Sequence, residues 1–112
     1  MTLDQLLLGL VVAYFAWRVF STYRARRRVP ELRRQGAQII DVRGQGEFAD
    51  GHAEGSVNIP LQELDRRIGE LDPGRWVIVC CASGTRSAMA RRKLRAHGFE
   101  RVLNAGPWRN VC

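Results

Sequence analysis

The chain is 112 residues long, 46% hydrophobic, and carries a formal net charge of +7. That length admits one small domain plus an appendage, and an ordinary apolar fraction without low-complexity tracts excludes a disordered chain. Residues 1–30 hold five arginines against one aspartate, so more than half of the excess charge lies outside the candidate globular part. A nucleic-acid-binding domain would carry its basic stripe on the folded surface instead.

From Leu6 to Trp17 the chain is uninterruptedly apolar, and Leu3 to Tyr23 reaches the length of roughly 20 residues that a membrane-spanning helix needs. Arg18 can snorkel towards headgroups, and Trp17 and Tyr23 suit the interface. No Lys or Arg precedes Arg18, whereas Arg24, Arg26, Arg27 and Arg28 follow the apolar run. A cleaved signal peptide would place positive charge first and small residues after. The distribution predicts a retained single-pass anchor in the inner (cytoplasmic) membrane, with the C-terminal side in the cytoplasm. A signal peptide and a core helix are the rival readings. An amphipathic surface helix is disfavoured because every face between Leu6 and Trp17 is apolar.

The expected organisation is an anchor helix over 1–23, a basic juxtamembrane linker over 24–30 closed by Pro30, and a domain over 31–112. Glu31 to Gly36 reads as a short helical turn. Gln38 to Val42 is a first, β-branched strand, and Ser56 to Ile59 a second, stopped by Pro60. Between them lies a Gly-rich loop with a short turn at Glu47-Phe48. Leu61, Leu64, Ile68 and Leu71 recur at helical spacing. Trp76 to Cys80 is a continuous apolar strand of the kind covered on both faces in a parallel sheet. Ser87 to His97 is a helix with Ala88, Ala90, Leu94 and Phe99 as its apolar contacts, ended by Gly98. Arg101 to Asn104 is a last strand, after which Ala105-Gly106-Pro107 turns the chain out. Alternating strands and helices predict a small three-layer α/β domain with a mainly parallel central sheet.

The stretch Cys81-Ala82-Ser83-Gly84-Thr85-Arg86-Ser87 then falls between a strand and a helix. Backbone N–H groups of such a loop converge on one point, at which the next helix aims its positive end. A thiol placed there is pushed towards thiolate, the nucleophilic form. Arg86 adds a permanent positive charge. The alternative is a Cys81 that merely ends a buried strand. Three cysteines, two of them adjacent, make a poor disulfide framework and fit a reducing compartment.

In order and spacing, Asp41-Val42-Arg43, Glu47-Phe48, Gly51-His52, Gly55 to Pro60, the Cys81–Ser87 loop and Asn104-Ala105-Gly106 resemble the rhodanese family over roughly residues 31–109. With the apolar N-terminus, the chain looks like the small membrane-anchored bacterial type. The resemblance implies sulfurtransferase activity without a cofactor or metal. Cys81 matches the nucleophile that takes a sulfane sulfur from a donor such as thiosulfate, holds it as a persulfide, and passes it to a thiol or cyanide-like acceptor. An acceptor protein thiol fits equally. Ala82, Ser83, Gly84, Thr85, Arg86 and Ser87 match the substrate-binding loop, and Arg86 either meets an anionic donor or holds loop carbonyls. Asp41 and Arg43 match architectural positions, and His52 one that packs beneath the loop. The six residues from Cys81 to Arg86 are one fewer than in the family's phosphatases and arsenate reductases, which favours sulfur over a tetrahedral oxyanion. A non-catalytic scaffold or binding module at the membrane is the first alternative, and a rhodanese-related phosphatase or arsenate reductase the second. Cys80 leaves a second thiol beside the nucleophile, and Cys112 reads either as a resolving or relay thiol or as a free tail.

Overall fold

A computed structural model describes all residues from Met1 to Cys112. Four parallel strands form one sheet in the order β2-β1-β3-β4: β1 (Gln38–Asp41), β2 (Ser56–Asn58), β3 (Val77–Cys81) and β4 (Val102–Pro107). Helices α2 (Gln45–Ala49), α3 (Leu64–Arg67) and α4 (Thr85–Ala96) connect the strands. The N-terminal α1 runs unbroken from Leu3 to Arg34, started by a reciprocal cap between Thr2 and Gln5.

A parallel sheet has two apolar faces, and each needs a cover. On one face Ile40, Val79 and Cys81 pack with Leu64 of α3 and Ala90 and Leu94 of α4. On the other, Ile39, Ile78, Cys80 and Leu103 pack with Ala25, Val29 and Leu32 of α1 and with Val111. The three layers are therefore real, and the third is the second half of the N-terminal helix itself. The stretch expected as a linker over 24–30 is helix, because Ala25, Val29 and Leu32 recur three and four residues apart and face the sheet. Pro30 is on the exposed side of this helix rather than at its end. The turn expected over Glu31–Gly36 is the last stretch of α1.

Two other expectations change. The one-sided helix over 61–71 is a short α-helix flanked by 3₁₀ turns at Leu61–Glu63 and Ile68–Glu70. Leu61 and Leu64, then Ile68 and Leu71, are three apart, the repeat of a 3₁₀ turn, so four apolar side chains reach the core from a broken element. Strand β4 continues through Ala105-Gly106-Pro107 instead of turning out, with a register shift opposite Val79–Cys80 that leaves Ala105 unpaired with β3. Ala88 is exposed on α4 rather than in the core.

Since α1 supplies a sheet cover, Leu32→Ala should destabilise the domain by about 2–5 kcal/mol, read as a lower urea midpoint. A chain lacking residues 1–23 should keep the parent midpoint. Equal midpoints for Leu32→Ala and parent would refute the assignment of α1 to the core.

Candidate active site

Cys81 is the last residue of β3, and its side chain lies on the α4 side of the sheet, fully buried. The strand alternates faces, so the adjacent Cys80 points to the α1 side. Gly84, with φ of 104°, turns the chain into α4 in a conformation that side chains rarely adopt. A Cβ at Gly84 would stand 3.2 Å from the Gly106 backbone, so the loop is pressed against β4 and cannot spread.

Around the Cys81 sulfur, Gly84 N–H donates at 2.9 Å and Ser87 N–H at 3.4 Å, while the Ser87 hydroxyl lies at 3.4 Å. Burial alone pushes the thiol up. The Ser87 hydroxyl and the N–H groups of Ser87, Gly84 and Ser83 outweigh it, leaving Cys81 below the ordinary thiol value. Cys80 meets the opposite fate: burial, then the nearby Asp41 carboxylate, pushes it up to about 12. Two adjacent thiols are thus shifted in opposite directions. Cys80 is a packed core thiol and a poor nucleophile.

Asn104 anchors the arrangement from β4. Its Oδ1 accepts from the Ser87 hydroxyl at 2.6 Å and from Gly106 N–H at 2.9 Å, and its amide donates to Gly84 O at 3.4 Å. The irregularity at Ala105 kinks β4 beside the site, as bulges near active sites do. The Ser87 hydroxyl therefore has two acceptors for one proton, Asn104 Oδ1 and the Cys81 sulfur. When the thiol ionises, the hydroxyl can turn to the sulfur while Gly106 N–H still satisfies Asn104. Asn104 and Glu47 belong to the site, although only their place in the motif, and not their type, marked them in the sequence.

Arg86 does not bond loop carbonyls. Its guanidinium makes a bidentate pair with Glu47 at 2.7 and 2.9 Å, bridging α4 to α2. Glu47 also accepts from Gly44 N–H at the start of α2. Arg86 first, then Gly44 N–H, bring the carboxyl down to about 2. The pair is consequently ionised throughout the neutral range, and salt or a competing anion opens it more readily than a pH change.

Asp41 and Arg43 form a buried pair at the carboxyl end of β1. Arg43 Nη2 reaches Asp41 at 2.7 Å and Gly51 O at 2.7 Å, and its guanidinium lies 4.8 Å from the Trp108 ring centre. Asn58 bridges Asp41 O and Arg43 O. These contacts tie the loop after α2 to the end of the chain and make no hydrogen bond to the Cys81–Ser87 loop. His52 is exposed, stacks on Phe48 with ring centres 3.7 Å apart, and bonds Phe48 O at 2.7 Å. It does not pack beneath the active loop, because the ring is held by α2 outside the core. Ala82, Ser83 and Thr85 are exposed on the outer side of the loop. Cys112 is exposed near the Trp108 carbonyl.

Residues 27–106 match the rhodanese-like domain. The chain belongs to the rhodanese family. Escherichia coli thiosulfate sulfurtransferase PspE is 35% identical over 75 residues, covering 65% of this chain and 72% of that protein. Pseudomonas aeruginosa thiosulfate sulfurtransferase GlpE is 34% identical over 91 residues, 78% of this chain and 83% of its relative. A solved rhodanese with anions from E. coli superposes with a TM-score of 0.64 at 33% identity, over 68% of this chain and 92% of that one. Matches to Bacillus subtilis YrkF and YqhL cover only 40% and 54% of those proteins.

Ser87→Ala removes the hydroxyl from the rhodanese loop and leaves the backbone donors. Alkylation of Cys81 by iodoacetamide at neutral pH should slow about tenfold, the worth of one hydrogen bond to a charged group, and its pH midpoint should move upward. An unmoved midpoint would show that the hydroxyl does not hold the thiolate.

Proposed function

We propose that this rhodanese transfers a sulfane sulfur through a persulfide on Cys81. The observation carrying this reading is the buried sulfur ringed by Gly84 N–H, Ser87 N–H and the Ser87 hydroxyl. Such a ring favours an anionic sulfur before and after loading, since the outer atom of a persulfide is also anionic. A thiolate at Cys81 attacks the outer sulfur of a thiosulfate-like donor, the S–S bond breaks with its pair on the leaving sulfite, and Cys81 keeps one sulfur. A thiol or cyanide-like acceptor then attacks that sulfur, and the Cys81 thiolate is restored. Names of relatives such as PspE and GlpE support the thiosulfate chemistry.

In this reading the loop Ala82 to Ser87 binds the sulfur-bearing ligand. Arg86 is the cation an anionic donor would draw away from Glu47. The six-residue spacing from Cys81 to Arg86 disfavours a phosphate or arsenate substrate. A rhodanese scaffold without chemistry would gain nothing from a depressed Cys81 beside a raised Cys80, so the enzymatic reading is preferred.

We further propose that α1 anchors the domain in the inner membrane with its C-terminal side cytoplasmic. Leu3–Arg34 has an apolar window of mean hydropathy 1.5 with none of that window buried, and its exposed arginines cluster at 24–28. In this reading the physiological sulfur acceptor is a small thiol or a protein thiol.

Incubation with thiosulfate should add one sulfur atom to the intact mass of the parent, and cyanide should remove it as thiocyanate. Cys81→Ser should lose both, by at least about a thousandfold in rate, whereas Cys80→Ala should keep both. Retained turnover in Cys81→Ser would refute the proposal. Glu47→Gln should lower the KM for thiosulfate at low salt and leave kcat within about twofold, because it frees Arg86. A raised KM would show that the pair positions the loop instead.

A further inference from the structure

Asn104 takes its place from the irregularity in β4. Asn104 stands opposite Val79, but Cys80 is matched by Gly106, one residue late. Gly106, with φ of 76°, turns its N–H back onto Asn104 Oδ1 at 2.9 Å. That donor settles which way the amide points, because Nδ2 in the same place would meet another N–H. Oδ1 has a second lone pair, and it receives the Ser87 hydroxyl at 2.6 Å. An amide oxygen carries no proton, so the hydrogen between the two oxygens is the only one Ser87 Oγ has.

Cys81 Sγ lies 3.4 Å from the same Oγ. With its hydrogen on Asn104, Oγ can only accept from the sulfur, as it does from a thiol S–H. The arrangement is therefore the one an uncharged Sγ wants. A thiolate reverses it, because a charged sulfur is a stronger acceptor than a neutral carbonyl. The hydroxyl then turns to Sγ about its own C–O bond, and no heavy atom has to move.

The persulfide falls on the uncharged side of this choice. Its charge is on the outer sulfur, and Sγ is a neutral divalent sulfur, a weak acceptor. The hydroxyl goes back to Asn104. When an acceptor thiolate, its proton already lost to solvent, attacks the outer sulfur, the bond from that sulfur to Sγ breaks with its pair on Sγ. The products are the acceptor's persulfide and the Cys81 thiolate, with no outside oxidant or reductant. The hydroxyl follows the pair to Sγ. Its bond to sulfur thus strengthens in the transition state and is absent from the loaded enzyme.

We propose that Asn104 is a positioning residue for sulfur carriage: it holds the Ser87 hydroxyl while Cys81 is loaded, releases it to Sγ as the sulfur leaves, and so sets how firmly Cys81 keeps its sulfur. The inference rests on the persulfide reading above. Without Oδ1 the hydroxyl stays aimed at Sγ, which favours the bare thiolate over both the thiol and the persulfide. Without the hydroxyl the balance tips the other way. Asn104 and Ser87 act with opposite signs through one hydrogen. The charged and titratable groups around Cys81 are Arg86, paired with Glu47 of α2, the Asp41–Arg43 pair at the end of β1, and Cys80. None of them is changed by substitution at 87 or 104.

The test uses the full chain in dodecyl maltoside, with Asn104→Ala made alone and on Ser87→Ala. Iodoacetamide alkylation, followed on the Cys81 peptide without a sulfur donor, gives the pH midpoint of the thiol. Asn104→Ala should lower that midpoint, with about fivefold more thiolate at a pH below both midpoints, the worth of one uncharged hydrogen bond. On Ser87→Ala the same substitution should leave the midpoint unmoved. The bond from Asn104 to Gly84 O at 3.4 Å is lost in both backgrounds and cancels. At a fixed ratio of thiosulfate to sulfite and a pH above all midpoints, intact mass gives the ratio of loaded to free Cys81. It should fall about fivefold in Asn104→Ala and hold on Ser87→Ala. Equal changes in the two backgrounds, or a midpoint that rises while Ser87 is present, would overturn the proposal, since a residue that only shapes the loop acts without the hydroxyl. Asn104→Asp serves if Asn104→Ala does not fold. Its carboxylate holds the hydroxyl harder, so the midpoint should rise more with Ser87 than on Ser87→Ala, and equal rises would refute the role. A parent that gains no sulfur mass would overturn the persulfide reading instead, while the alkylation midpoints still decide whether Asn104 acts through the hydroxyl.

Discussion

The structure depends on one packing constraint: a four-stranded parallel sheet has two oily faces and only one set of crossover helices long enough to cover one of them. Helices α3 and α4 take the face that holds Cys81. The other face would stand open if the chain began at β1. It is closed by Ala25, Val29 and Leu32, the continuation of the same helix whose first half is apolar on every side. The apolar N-terminal segment and the domain thus share one continuous helix, so the direction of that segment relative to the sheet is set by the core rather than by a loose tether.

Strand alternation makes the second consequence. Because Cys80 and Cys81 are adjacent on β3, they face opposite layers, and the two layers differ in what they offer a sulfur. The α1 side offers packed hydrocarbon and the field of the Asp41 carboxylate, so Cys80 stays protonated. The α4 side offers the start of a helix, a glycine turn and a serine, so Cys81 is drawn to the anion. The Ser87 hydroxyl first, and then the loop N–H groups, favour the anion at Cys81 against the burial that opposes it.

Most of this was legible in the residues. The apolar run before Cys81, the Gly-containing loop and the helical spacing after it placed the nucleophile at the end of a central strand. Alternation alone separated Cys80 from Cys81. What stayed hidden was tertiary. Ala25, Val29 and Leu32 sit among arginines, and the local composition reads as a solvated linker until the sheet that needs them is known. Pro30 reads as a boundary because proline removes a helix hydrogen bond and crowds the carbonyl four residues back, yet α1 carries it one turn before its end. Arg86 carries the charge a substrate would want, but its commitment to Glu47 depends on a contact 39 positions away in sequence. His52 is hard to place for a different reason: its stacking on Phe48 is local, and no periodicity distinguishes a ring held outside the core from one held beneath a loop. The extended β4 was hidden because Gly106-Pro107 has the chemistry of a turn.

The two arginines nearest the loop differ in availability, and that difference bears on which side a ligand enters. Arg86 is neutralised by Glu47 in a bidentate pair, so its field at the loop is largely cancelled until the pair opens. Arg18 touches only the Ser83 carbonyl, at the long limit of a hydrogen bond, and makes no ion pair. The unspent positive potential beside the Cys81 loop therefore lies on the α1 side, together with that of Arg24, Arg26, Arg27 and Arg28. Long-range attraction of an anion towards the loop is therefore stronger from the α1 side than from the Arg86 side.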